Sequence, residues 1–119
     1  MYREVQELLF SYLNGLDSSF KVYRNEAPQG APFPYVIYNV VTTEFGEQQP
    51  IAIRIYDQNN SYQRITDVVD KIGENLPINL QSEHGIVTLY KGSPFAQDLE
   101  EEGVDGSYVN FIIETDFTK

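Results

Sequence analysis

The chain has no cysteine, no tryptophan, one histidine and one methionine among 119 residues. Without cysteine there is no disulfide, no thiolate nucleophile and no thiolate metal centre, which fits manufacture in a reducing cytoplasm. Cations are scarce as well: 8 Lys and Arg stand against 18 Asp and Glu, a net charge of −10. Such a surface repels the phosphates of nucleic acid and of anionic lipid, so sequence-specific DNA binding is disfavoured. No apolar run approaches the roughly 20 residues that a membrane-spanning helix needs. The opening Met1-Tyr2-Arg3-Glu4-Val5-Gln6-Glu7 carries two acids where a signal peptide would be basic and then apolar, and no export signal is expected.

Catalytic signatures are missing too. No G-x-x-x-x-G-K-[ST], G-x-G-x-x-G or G-x-S-x-G occurs, so neither a phosphate cradle nor a nucleophile elbow has a footing. His84 lies in the turn-like Ser82-Glu83-His84-Gly85, where an imidazole acts as a base only beside a positioned nucleophile. Nothing in the sequence identifies one. The adjacent acids Glu100, Glu101 and Glu102 lack the fixed spacing that paired-carboxylate catalysis requires. Asp98, Glu100, Glu102 and Gly103 match the start of a calcium-binding EF loop, but the twelfth position, which should be a bidentate Glu, is Val109. These acids read as solvated charge. No catalytic residue, cofactor or metal ligand is expected.

Hydrophobic residues make up 41% and aromatics 13%, enough for the core of one domain, and a chain this size fits the usual range of roughly 100–150 residues. Val5, Leu8, Leu9, Tyr12, Leu13 and Leu16 recur at three- and four-residue spacing and predict an amphipathic helix, ended by Gly15 and Asp17-Ser18-Ser19. Phe20-Lys21-Val22-Tyr23-Arg24 alternates as a strand, and residues 25–34, with three prolines and Gly30, predict an extended loop. Residues 35–43 are apolar on both faces as far as Val41 and predict a central strand. Ile51, Ile53 and Ile55 alternate with Ala52, Arg54 and Tyr56, so the isoleucines should face the core.

A capping box, Asn60 and Gln63, opens a second helix whose stripe is Tyr62, Ile65, Val68, Val69, Ile72 and Leu76, stopped by Pro77. Val87 with Leu89, and Val109 with Phe111 and Ile113, alternate as two further strands. Between them, residues 92–107 hold three glycines, a proline and an acidic run, and predict a long mobile loop. The fold class expected is α+β in one domain over residues 1–119: a mostly antiparallel five-stranded sheet with two helices on one face, in the order α-β-β-β-α-β-β.

The acid is concentrated late, with eight acidic against two basic residues from position 80 onward. Nine tyrosines and seven phenylalanines complete the composition; those near element edges suit either protein contacts or cross-strand packing.

Pro32-Phe33-Pro34-Tyr35-Val36-Ile37-Tyr38, then Ile51-Ala52-Ile53-Arg54-Ile55-Tyr56, then the helix from Tyr62, resembles the tail-terminator (tail-completion, head-tail joining) proteins of long-tailed bacteriophages and prophages. The flanking elements extend the likeness over nearly the whole chain. The resemblance implies a structural virion protein, made in the bacterial cytoplasm. Copies form a ring, usually hexameric, on the finished tail tube, stop its growth and join the tail to the head-completion or connector protein. DNA would pass through the ring without sequence-specific binding. A head-closure or tail-tube protein, or an unrelated small acidic binding module, is the alternative. On this reading the interface residues lie in two polar segments: Glu44, Phe45, Glu47, Gln48 and Gln49 in the first, and Gln97, Asp98, Leu99, Glu100, Glu101, Glu102 and Asp105 in the second.

Overall fold

The computed structural model describes residues 2–39, 47–58, 62–101 and 103–117. Its elements are α1 (Tyr2–Asn14), β1 (Lys21–Arg24), β2 (Tyr35–Tyr38), β3 (Gln49–Asp57), α2 (Tyr62–Glu74), β4 (Ile78–Gln81), β5 (Gly85–Glu101) and β6 (Val104–Phe117). The six strands form one mixed sheet in the order β1-β2-β3-β6-β5-β4.

The expectation of five mostly antiparallel strands is corrected in three places. First, β1 and β2 are parallel, Val22 opposite Val36 and Tyr23 opposite Ile37. The proline-rich connection, with Asn25 and Gly30 at positive φ, carries the chain back to its starting end instead of turning a hairpin. Asn and Gly are the residues that accept that backbone conformation cheaply. Second, Ile78-Asn79-Leu80-Gln81 is a sixth strand, Ile78 paired with Leu89 and Leu80 with Val87. Third, the expected mobile loop over residues 92–107 is the far half of a long hairpin in which β5 has 17 residues and β6 has 14. Its turn is made at Gly103, with φ +79.

The hairpin is not regular throughout. Between the pairs Lys91–Phe111 and Ala96–Val109, four residues of β5 oppose the single residue Asn110. Gly92 makes this possible: a Cβ there would lie 2.8 Å from the Asn110 backbone carbon. The Asn110 Nδ2 donates to the Pro94 carbonyl at 2.8 Å and closes the bulge. Bulges increase local twist and bend a strand. The sheet curls accordingly, so that α1 touches β1 and β4, the two opposite edges.

Both helices fill the concave side. Val5, Leu9, Leu13 and Leu16 of the first helical segment and Ile65, Val68 and Ile72 of α2 form one buried cluster with Ile51, Ile53, Ile55, Val87, Leu89, Val109, Phe111 and Ile113. The isoleucines of β3 therefore face the core, as their alternation predicts. The Lys71 ammonium donates to the Leu16 carbonyl and ties α2 to the end of α1. Asp57, 1% exposed at the end of β3, accepts two bonds from the Arg64 guanidinium, at 2.7 and 2.8 Å. That bidentate pair fixes the angle at which α2 leaves the sheet.

Tyr12 is a misfit of this layer. Its hydroxyl is buried with no hydrogen-bond partner, and burial pushes its pKa up to about 12 from 10.0. The fold therefore favours the neutral phenol, an advantage that is complete below pH 10 and is lost as pH rises toward 12. Tyr12→Phe is expected to stabilise the protein by about 1 kcal/mol at neutral pH, because a buried hydroxyl without a partner is removed. It should also make the alkaline decline of the melting temperature shallower than in the native chain. A lower melting temperature at pH 7 would show that the hydroxyl is satisfied.

Candidate assembly surface

Among the described residues no helix covers the convex side of the sheet. Towards β1, residues 25–34 are packed against it: Ile37, Tyr56 and Leu99 are buried together with Tyr23, Ala27, Phe33, Tyr35 and Val104 around them. Tyr35 is the hub, its ring 5.8 Å from Tyr23, 5.1 Å from Phe33 and 5.3 Å from Tyr56. In register, Tyr56, Gly106 and Leu99 form one cross-strand row. Because Gly106 has no side chain, Leu99 leans over it; a Cβ at Gly106 would meet the Leu99 Cβ at 3.2 Å.

Among the described residues the middle of that face is open. Pro50, Ala52 and Arg54 of β3 lie beside Ile112, Asn110 and Tyr108 of β6, and Tyr108 is 39% exposed. Two adjoining concavities of about 360 and 410 Å³ run along these rows and share Pro50, Ile51 and Ala52. Arg54 is the single charged side chain among those six residues. It is held in place by bonds to the Asn25 carbonyl at 3.3 Å and the Tyr56 hydroxyl at 3.4 Å, and Tyr56 in turn donates to Glu101 at 3.2 Å.

The residues expected at an interface do not form one patch. Glu47 and Gln48 precede β3 and Gln49 begins it, opposite Ile113, with its side-chain Oε1 buried and unpartnered. Gln97, Asp98, Leu99, Glu100 and Glu101 belong to β5 and Asp105 to β6, opposite Asp57 at the other end of β3. Gln97 is level with Arg54 and Asp105 with Asp57, so the second group lies five to eight residue steps along β3 from Gln49, roughly 17–27 Å at 3.4 Å per step. Leu99 is 3% exposed and lies in the core. Asp98 and Glu101 are exposed. Glu44, Phe45 and Glu102 lie outside the described residues, as does the capping residue Asn60.

A further hollow, about 430 Å³, lies where α1 meets the β4–β5 turn. Glu4 there accepts from the Ser82 hydroxyl at 2.7 Å and faces the His84 Nδ1 at 3.0 Å. The Ser82 bond first, and then the His84 charge, hold the Glu4 carboxyl below its ordinary value. The order of contacts matters chemically: Ser82 gives its proton to the carboxylate and not to the imidazole, so this trio has a serine and a base without the link that activates one by the other. It is a clasp between α1 and the turn. Likewise Asp98 and Glu100, aligned with the first and third positions of an EF loop, belong to the extended strand β5 and not to a loop, and Glu102 lies outside the described residues. Among the described residues no group of three or more metal-ligating side chains is close enough to hold one, and no helix is long and apolar enough to cross a membrane.

The chain matches no protein-family model, and no curated protein matches it.

Proposed function

We propose that this protein is a structural assembly subunit, and that it works as its resemblance implies: copies form a ring on the end of a phage tail tube, end tube growth and offer the surface that joins the head. The observation that carries this reading is the convex sheet face. A chain of net charge −10 keeps a band of Pro50, Ala52, Tyr108, Asn110 and Ile112 around one arginine. Depletion of charge with aromatic and Arg enrichment is the composition of protein-interface cores. Like-charged copies and neighbours can approach closely only where the like charge is missing. The acids elsewhere would line a lumen that repels DNA and lets it pass.

The test is electron microscopy of the purified protein, alone and mixed with tubes of the tail-tube protein encoded beside it. Rings of the tube's diameter seated at one tube end are expected. Protein that ignores tube ends overturns the terminator reading, and binding along the tube wall favours another tail component.

A further inference from the structure

Of the stretches of strand, β4 among them, that have no further strand beside them among the described residues, two carry opposite charge. One is β1, at the margin of the sheet. The Lys21 and Asn25 N–H groups donate inward, to the carbonyls of Pro34 and Tyr38. By strand alternation the backbone groups of Val22 and the N–H of Arg24 point outward, while the Arg24 carbonyl accepts from the Glu26 N–H at 2.9 Å. Lys21 and Arg24 are exposed here. Beside them a hollow of about 270 Å³ is lined by Gln6, Phe10, Arg24 and Tyr38. Phe10 is 42% exposed, and Gln6 is 7% exposed with neither amide atom hydrogen-bonded. An open strand edge, an uncovered aromatic ring and a buried carboxamide without partners thus meet at one place.

The other is the far part of β5. Since β4 pairs only with residues 86–89, residues 96–101 have β6 on one side and no strand on the other. Ala96, Gln97, Asp98 and Glu101 are exposed. α2 does not seal this edge: a cleft of about 140 Å³ separates Tyr62 and Thr66 from Ala96 and Asp98.

We infer that these edges join between copies of this chain, β1 of one copy adding as a strand to residues 96–101 of the next. The inference rests on the assembly reading above and names the surface it would use. A second copy is the occupant because the charges match, Lys21 and Arg24 on one edge against Asp98 and Glu101 on the other, in a chain where only 8 Lys and Arg stand against 18 Asp and Glu. Main-chain pairing supplies cohesion and the charges set register and partner. The contact is head-to-tail, the kind that closes a ring when its rotation divides a full turn. The short β1, Pro94 and the bulge, together with the overall negative charge, keep isolated copies from sticking freely.

The native lack of cysteine makes the test clean. Arg24→Cys and Asp98→Cys are made separately and together and treated with a short bismaleimide at physiological salt, alongside sedimentation of the native protein. A mixture of the two single variants should give a dimer that neither gives alone, and the double variant a ladder of higher species. Arg24→Glu should lower the sedimenting mass, and Asp98→Lys on the same chain should restore it. A native protein that sediments as an oligomer without these cross-links overturns the edge pairing and leaves the assembly reading standing. A native protein that stays monomeric at its solubility limit, with no cross-link, overturns the pairing and counts against the assembly reading as well.

Discussion

Replacing Phe111 with alanine should cost about 3–5 kcal/mol of stability, the usual price of truncating a buried aromatic ring. Phe111 is 1% exposed and sits on β6 opposite Ile51 on one side and Lys91 on the other. It is also the residue next to Asn110, which anchors the bulge. A ring removed at this point cannot be replaced by collapse, because the strands on both sides are fixed by their ladders. Domains of this size have roughly 5–15 kcal/mol in total, so the variant should be marginal. Tyr108, three residues away on the convex face and 39% exposed, provides the comparison: Tyr108→Ala should cost far less. Urea unfolding of both variants checks the pair. Equal losses would mean that the convex face is as tightly packed as the concave one, and the assembly surface proposed above would lose its basis.

How much of this was legible in the sequence depends on the range of the interactions that decide each element. α1 and α2 were readable because their apolar spacing is a local signal, strong enough that Ile65, Val68 and Ile72 lie in the core as the stripe requires. The same holds for Ile51, Ile53 and Ile55, whose period of two survives in the buried pattern of β3. The strand beginning at Tyr35 was found, but it ends at Tyr38 within the described residues. β4 carries the alternation in Ile78 and Leu80, too brief to stand out directly after Pro77. The parallel pairing of β1 with β2 leaves no local trace at all, since neighbouring strands joined by a loop ordinarily pair antiparallel.

The far hairpin shows the limit most clearly. Its glycines, Pro94 and acidic run are loop-formers by local preference, and strand preference is overridden by cross-strand neighbours. Residues 104–109 offer that partner, and Leu99, the one apolar side chain among residues 98–102, has Gly106 opposite to lean across. The candidate surface was unreadable for a related reason. That Pro50, Ala52 and Arg54 lie beside Ile112, Asn110 and Tyr108 is a property of register, and the missing partners of Gln6 are a property of tertiary placement.

Deleting residues 97–105 should therefore break the fold, although they fall in the segment whose sequence predicts a mobile loop. The cut takes Leu99 out of the cluster with Ile37 and Tyr56, a loss of about 2–5 kcal/mol for a buried leucine on its own. It also takes Asp105, the strand partner of Asp57, and forces Gly106 and Ser107, which pair with Tyr56 and Ile55, into a new turn. The end of β3 then loses its ladder at the point where Asp57 holds Arg64 and directs α2. A cooperative loss of stability is expected, seen as a melting temperature many degrees lower and rapid amide exchange in residues 54–57. An unchanged melting temperature would show that the far hairpin is dispensable. Loss of tail joining in such a deletion would report unfolding and say nothing about contacts. Asp98→Lys alters exposed charge on the same strand while keeping Leu99, the register and the Tyr56–Glu101 bond, so it separates the role of the acidic edge in assembly from its role in holding the sheet together.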